Sequence, residues 1–238
     1  MEDASAWVEP SVGSTVAFVV ILALVIGLFV AGLAKVWSTR GLVFGLVGSA
    51  LWVGLTGAYV ASGAPAAGPP GLVGFFATLN VAAIALAFSP VGTKLIDGLP
   101  LWTLAAFQGF RLPLELVLHD WADTGTIPVQ MTFEGHNFDI ATGVAALAVA
   151  GFVLGTRRRE APRWMLWAFN VVGTGLLAAV IVIVLRSSPL PIKSYEGPPL
   201  RLALHLPYAW IGPVCVAGAL AGHLMLWRGL LRRERSAG

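Results

Sequence analysis

Charge is what this chain has least of. Its 238 residues include fifteen Lys and Arg and twelve Asp and Glu, 11% in all, where a soluble domain carries about 25%. That scarcity excludes an ordinary water-soluble fold. Cysteine is nearly missing as well: Cys215 stands alone, so no disulfide framework is possible. No stretch alternates apolar and polar residues in the way of barrel strands. Also absent are HExxH, a second His-rich helix, the CxxCH of haem attachment and a glycine-rich phosphate loop. No internal repeat is evident, which leaves an inverted-repeat transporter without support. The net charge of +3 and pI near 9.4 suit a nucleic-acid binder at first sight. The basic residues follow membrane topology instead, so nucleic acid is not an expected partner.

What the chain has in abundance is apolar sequence, 57% of its residues, with a mean hydropathy of +0.82. It comes in blocks of about 20 residues, enough to cross roughly 30 Å of hydrocarbon as helix. Spans are expected near 14–36, 41–62, 71–90, 99–121, 138–155, 163–186 and 207–227. The fold class is therefore all-α: a polytopic bundle of about seven transmembrane helices, one integral membrane domain over 1–238, with the lipid bilayer as its partner. The first span follows Glu2, Asp3 and Glu9 and lacks a basic n-region or a cleavage site, so it reads as a retained helix. If seven spans alternate, Lys35, Arg40, Lys94, Arg157, Arg158, Arg159, Arg163, Arg228, Arg232, Arg233 and Arg235 share one side. Arg186, Lys193 and Arg201 fall on the other. The positive-inside rule then places the N-terminus outside and the C-terminus in the cytoplasm.

Within the fourth span, Gln108, Arg111, Glu115 and His119 are spaced by three, four and four residues. At 100° per residue they fall within an arc of about 80°, one polar face of a helix. Ionisable groups at bilayer depth cost a few kcal/mol or more and usually face a partner, a cavity or a ligand. Pro113 removes a backbone donor and frees the Gly109 carbonyl, so a kink is expected beside the charges. The bland alternative is an Arg111–Glu115 ion pair that locks helices together.

Two outer loops frame this face. Residues 120–137 carry Asp120, Asp123, Glu134 and His136 and no Lys or Arg; residues 187–206 are proline-rich and long enough to fold over the outer mouth as a lid. In MTFEGHNFD (131–139), Asn137 suits a helix N-cap and Asp139 a first turn. Gly135 permits a turn that aims Glu134 and His136 at the outer end of the fourth span. Candidate acid–base residues are Glu115, Glu134 and Asp139; candidate ligand contacts are Gln108, Arg111, His119, His136 and Asn137. Glu115, His119, Glu134 and His136 are also carboxylates and imidazoles of the kind that bind Zn, Fe or Mn. No cofactor is indicated. Asn80 and Asn170 read as interhelical hydrogen-bonding residues. His223 reads as distant from the polar face, and His205 as a possible outer neighbour.

QGFRLPLELVLH, MTFEGHNFDI, WAFN and LPYAW…GHL resemble an uncharacterised group of bacterial integral membrane proteins, over roughly residues 100–225. FRxPxE and MTFEGxNFD are the motifs of the resemblance. It implies a bacterial cytoplasmic (inner) membrane and Arg111, Glu115, Glu134, Asn137 and Asp139 as the shared polar set, but no activity. A rhodopsin is excluded because the seventh span has no lysine for a Schiff base. Three readings remain: a pocket facing outward that binds a small or lipidic ligand, with or without carboxylate catalysis; a proton- or ion-coupled pathway; and a structural subunit of a membrane complex.

Overall fold

Ser11 opens the first helix by accepting the Ser14 amide on its hydroxyl at 3.1 Å, which satisfies one of the free donors of a first turn. The computed structural model describes residues 7–235, with side chains to Arg232; Glu2 and Asp3 and the side chains of Arg233 and Arg235 lie outside the described residues. Helix α1 (Val12–Ala61) is broken at Ser38, whose φ of 55° and ψ of −138° are not helical. There the chain doubles back. A Cβ on Gly41 would collide with the Leu33 carbonyl, and one on Gly45 would sit 3.3 Å from the Val30 Cα. The two arms of α1 therefore form a tight antiparallel hairpin, and glycine is what lets their backbones meet.

Helices α2 (Pro69–Phe88), α3 (Pro90–Gly98), α4 (Leu101–Phe107), α5 (Arg111–Asp123), α6 (Ile140–Gly155), α7 (Arg163–Ser187) and α8 (Ala217–Arg235) complete the bundle. Among the described residues there is no strand. Four helical stretches are long and apolar enough to cross a membrane: Val12–Ala61, Pro69–Phe88, Arg163–Ser187 and Tyr208–Arg232. The protein is thus a helical bundle of membrane type. Its outward surface agrees, since Leu55, Val81 and Leu154 are 68%, 65% and 66% exposed, an apolar exposure that hydrocarbon accommodates and water does not.

α4 and α5 are one right-handed run joined by a 3-10 turn at Gln108–Phe110. The turn has a cause in the sequence. Pro113 cannot donate to the Gly109 carbonyl, and the helix tightens in the turn just before it. A second irregularity lies at Ile211–Val216, a π-helical turn ahead of α8, where the Pro213 carbonyl accepts the Trp52 indole at 2.9 Å.

The bundle has two chemically distinct ends. At one, Arg232 meets Asp97 at 3.2 Å, Arg228 bonds the Thr93 hydroxyl and the Ala87 carbonyl, and Glu160 accepts the amides of Leu101 and Trp102 at 2.8 and 2.9 Å. Pro100, at the start of α4, has no side chain to cap that helix. A carboxylate from the α6–α7 loop does so instead, where the helix dipole favours it. At the opposite end Trp121 donates to Ser14, and Tyr208 bonds both Thr15 and Glu9.

Candidate functional site

Three of the four residues on the polar face of the α4–α5 run point inward. Gln108, Arg111 and Glu115 are 1%, 2% and 2% exposed, deep in the bundle. Their partners come from α8 and the segment before α6, and those partners are held in turn by α6 and α7. Arg111 Nη1 lies 3.0 Å from Asp139 Oδ1, and the same oxygen accepts the Thr142 hydroxyl at 3.0 Å. The ion pair of Arg111 is therefore with Asp139, not with Glu115 one turn along its own helix. That outcome follows the weak geometry of an Arg placed N-terminal to a Glu at i, i+4.

Glu115 takes a different partner. Both of its oxygens accept from Asn137 Nδ2, at 2.9 and 3.0 Å, and this amide also reaches the Met131 carbonyl at 2.9 Å. Asn137 Oδ1 accepts the Asp139 amide at 3.0 Å, so one side chain holds Glu115 and shapes the start of α6 together. The expected N-cap role of Asn137 is corrected accordingly. It acts two residues before the Asp139 cap position, and Asp139 gives its carboxylate to Arg111 and Thr142.

His223, expected to lie far from this face, is part of it. Arg111 Nη1 is 3.3 Å from His223 Nε2. A guanidinium only donates, so Nε2 accepts and the proton sits on Nδ1. Nδ1 then donates to Asn170 Oδ1 at 2.7 Å, and Asn170 Nδ2 donates to the His223 carbonyl at 3.3 Å. Asn170 does join helices, as expected, but it also orients the ring. Gly173 makes room: a Cβ there would lie 2.5 Å from His223 Cε1. Sequence reasoning missed His223 because it counted position along the last span and ignored the reach of Arg111. The available signal was small: Gly173 one turn from Asn170 on one helix, and a histidine in the next.

The result is a polar chain Glu115–Asn137–Asp139–Arg111–His223–Asn170 that ties together α5, α6, α7 and α8. Beside it lies a cavity of about 70 Å³ lined by Arg111, Glu115, Asn137 and Asp139 and by apolar residues including Phe75, Phe110 and Leu177. Leu200 and Leu202, buried on the 188–206 loop, form part of its wall. Gln108 sits a turn deeper: its Nε2 donates to the Ala219 carbonyl at 3.1 Å, while its buried Oε1 has no partner.

The remaining candidates do not join. His119, its side chain 28% exposed, lies at the rim with Asp123 at 3.6 Å and Glu134 at 3.9 Å. His136 stacks on Tyr195 with ring centroids 5.4 Å apart. The foursome of Glu115, His119, Glu134 and His136 that a metal would need is therefore not assembled, since Gly135 turns its neighbours outward and leaves Asn137 to face Glu115. Among the described residues, His119, Asp123 and Glu134 bring ligand atoms within 4.8 Å of one another. His205 is apart from the pocket too, stacked on Trp7 at 4.0 Å; burial lowers it below the usual imidazole range, against the pull of Glu9. No family model matches the chain, and no curated protein or solved structure does so either.

Proposed function

We propose that this protein spans the bacterial cytoplasmic membrane seven times, N-terminus outside, and binds a small or lipidic ligand in the Arg111–Glu115–Asp139 pocket from the extracytoplasmic side. The observation that carries this reading is the charge count of the buried cluster. It has one cation, Arg111, and two carboxylates, with His223 neutral by its hydrogen bonds. A structural ion pair needs one acid for its base, and Asp139 already supplies it. Glu115 is the surplus: held by a single amide, it faces the cavity and is free to accept a donor or cation of a ligand, or a proton. Such a group is also placed for acid–base chemistry on what it binds.

At about 70 Å³ the cavity admits water-sized groups only, whereas ligand pockets run to about 300–1,000 Å³. Entry of anything larger therefore goes through displacement of Leu200 and Leu202 on the 188–206 loop. The shared polar set of the bacterial group that this chain resembles supports the reading, because Arg111, Glu115, Asn137 and Asp139 come together in it. Glu134, the fifth member of that set, stands outside. The test is mass spectrometry of small-molecule and lipid extracts from the purified protein and from Glu115→Gln, matched for thermal stability. A species enriched with the wild type and lost from the variant is expected; identical extracts would contradict the proposal.

A proton- or ion-coupled pathway is the second reading, favoured by the inward reach of the chain through His223 to Asn170. Asn170 is seven residues into α7, about 10 Å from its start at 1.5 Å per residue. The intervening buried residues, Leu166 and Phe169, are apolar. Proton flux into reconstituted vesicles that Glu115→Gln abolishes would promote this reading over the first.

A further inference from the structure

The helix from Ile211 to Met225 is a wall between two cavities. Cys215 and Ala219 face the polar pocket. Val214, Gly218 and Met225 face a second, far larger cavity of about 620 Å³, lined also by both arms of α1 with α2, α3 and α4. Its lining is almost wholly apolar, with Phe29, Trp102 and Phe107 prominent, and Lys35 is the one charged residue in it among those described. The walls are also open where side chains would fit. A Cβ on Gly48 would meet nothing within 4 Å, and on Gly32 and Gly218 it would make ordinary contacts at 3.5 and 3.6 Å.

An apolar cavity of about 150 Å³ in a protein core already takes up benzene, and pockets for whole ligands begin at about 300 Å³. This one lies among the membrane-type helices and opens sideways: Leu28 and Phe44 in its lining are 42% and 55% exposed on the lipid-facing surface. What reaches such a mouth is hydrocarbon. Lys35 stands near the Ser38 turn, at the basic end of the bundle, and no carboxylate pairs with it among the described residues. An ammonium there, at the end of an apolar slot, complements a phosphate attached to a chain.

We propose that this cavity holds an acyl chain of one anionic phospholipid, with the headgroup phosphate on Lys35. The site is independent of the polar pocket, from which the 211–225 helix separates it. The protein is reconstituted in vesicles of equal phosphatidylglycerol and phosphatidylcholine, exchanged into mild detergent and weighed intact by native mass spectrometry. About one retained phosphatidylglycerol per chain is expected for the wild type. Gly48→Phe and Gly218→Leu place side chains in the cavity from different walls. Each is expected to cut retention several-fold with an unchanged or higher thermal transition, and either suffices if the other does not fold. Lys35→Ala is expected to keep a lipid but lose the preference for phosphatidylglycerol. A wild type without bound lipid, or equal retention in the folded cavity variants, would overturn the site. Preference for phosphatidylglycerol that survives Lys35→Ala would overturn the assignment of the headgroup.

Discussion

In the proposed function Arg111 and Asp139 carry the structural part of the polar chain and Glu115 the functional part; substitutions separate the two. Removing one partner of a buried pair leaves an uncompensated charge at a cost of about 3–5 kcal/mol, whereas replacing both with apolar residues is often neutral. Arg111→Ala is therefore expected to lower the thermal transition sharply, and Arg111→Met with Asp139→Leu to recover it; equal loss in both would contradict the account. Glu115→Gln keeps an oxygen for Asn137 Nδ2 and is expected to fold like the wild type. At this scale the sequence was partly legible. The inward arc of Gln108, Arg111 and Glu115 followed from their spacing alone. Which carboxylate Arg111 chooses did not, because that depends on where the 124–139 loop returns. The place of His223 and the ring-orienting role of Asn170 were illegible for the same reason: a single His and a single Asn in apolar helices show no partner until the helices pack.

Between elements, close backbone contact sets the register of the site. Gly143 on α6 abuts the backbone of Leu112 on α5, where a Cβ would collide with the Leu112 amide. A methyl group cannot be absorbed by a rigid backbone neighbour, so Gly143→Ala forces α6 away from α5 and carries Asp139 off Arg111. The expected result is destabilisation beyond the roughly 1 kcal/mol scale of ordinary substitutions, relieved in part when Asp139 and Arg111 are already replaced by apolar residues. Additive losses in the combined variant would show that the glycine has no bearing on the pair. An irregularity before Pro113 was legible, since the missing donor specifies which carbonyl goes free; it takes the form of a 3-10 turn. The hairpin within α1 was legible as two apolar blocks with Lys35 and Arg40 at their junction; the closeness of the arms was not, and its signal lies in Gly41 and Gly45, which pack against the other arm. The capping of α4 by Glu160 was hidden by the basic residues around it.

The whole molecule was the most legible, because hydropathy reports solvent directly. The all-helical class and the apolar surface follow from composition, and the segregation of basic residues to one end of the bundle follows from their order. Crossing number and orientation are the proposal's own. In a Cys215→Ala background, single cysteines in the 62–68 turn and the 188–206 loop are expected to react with an impermeant thiol reagent added outside intact cells. Cysteines in the 156–162 loop are expected to react only after lysis. The reverse pattern would put the polar pocket on the cytoplasmic side and remove its acidic loops from the extracytoplasmic face.

The central claim is that Glu115 is a surplus buried carboxylate in exchange with the outer face. Infrared difference spectra of oriented, reconstituted protein test it most directly, recorded while the pH on the extracytoplasmic side is changed and the other side is held constant. The account predicts a protonated-carboxyl band that responds to the outer pH in the wild type and is absent from Glu115→Gln. Spectra that superpose for the two proteins at every outer pH would contradict it.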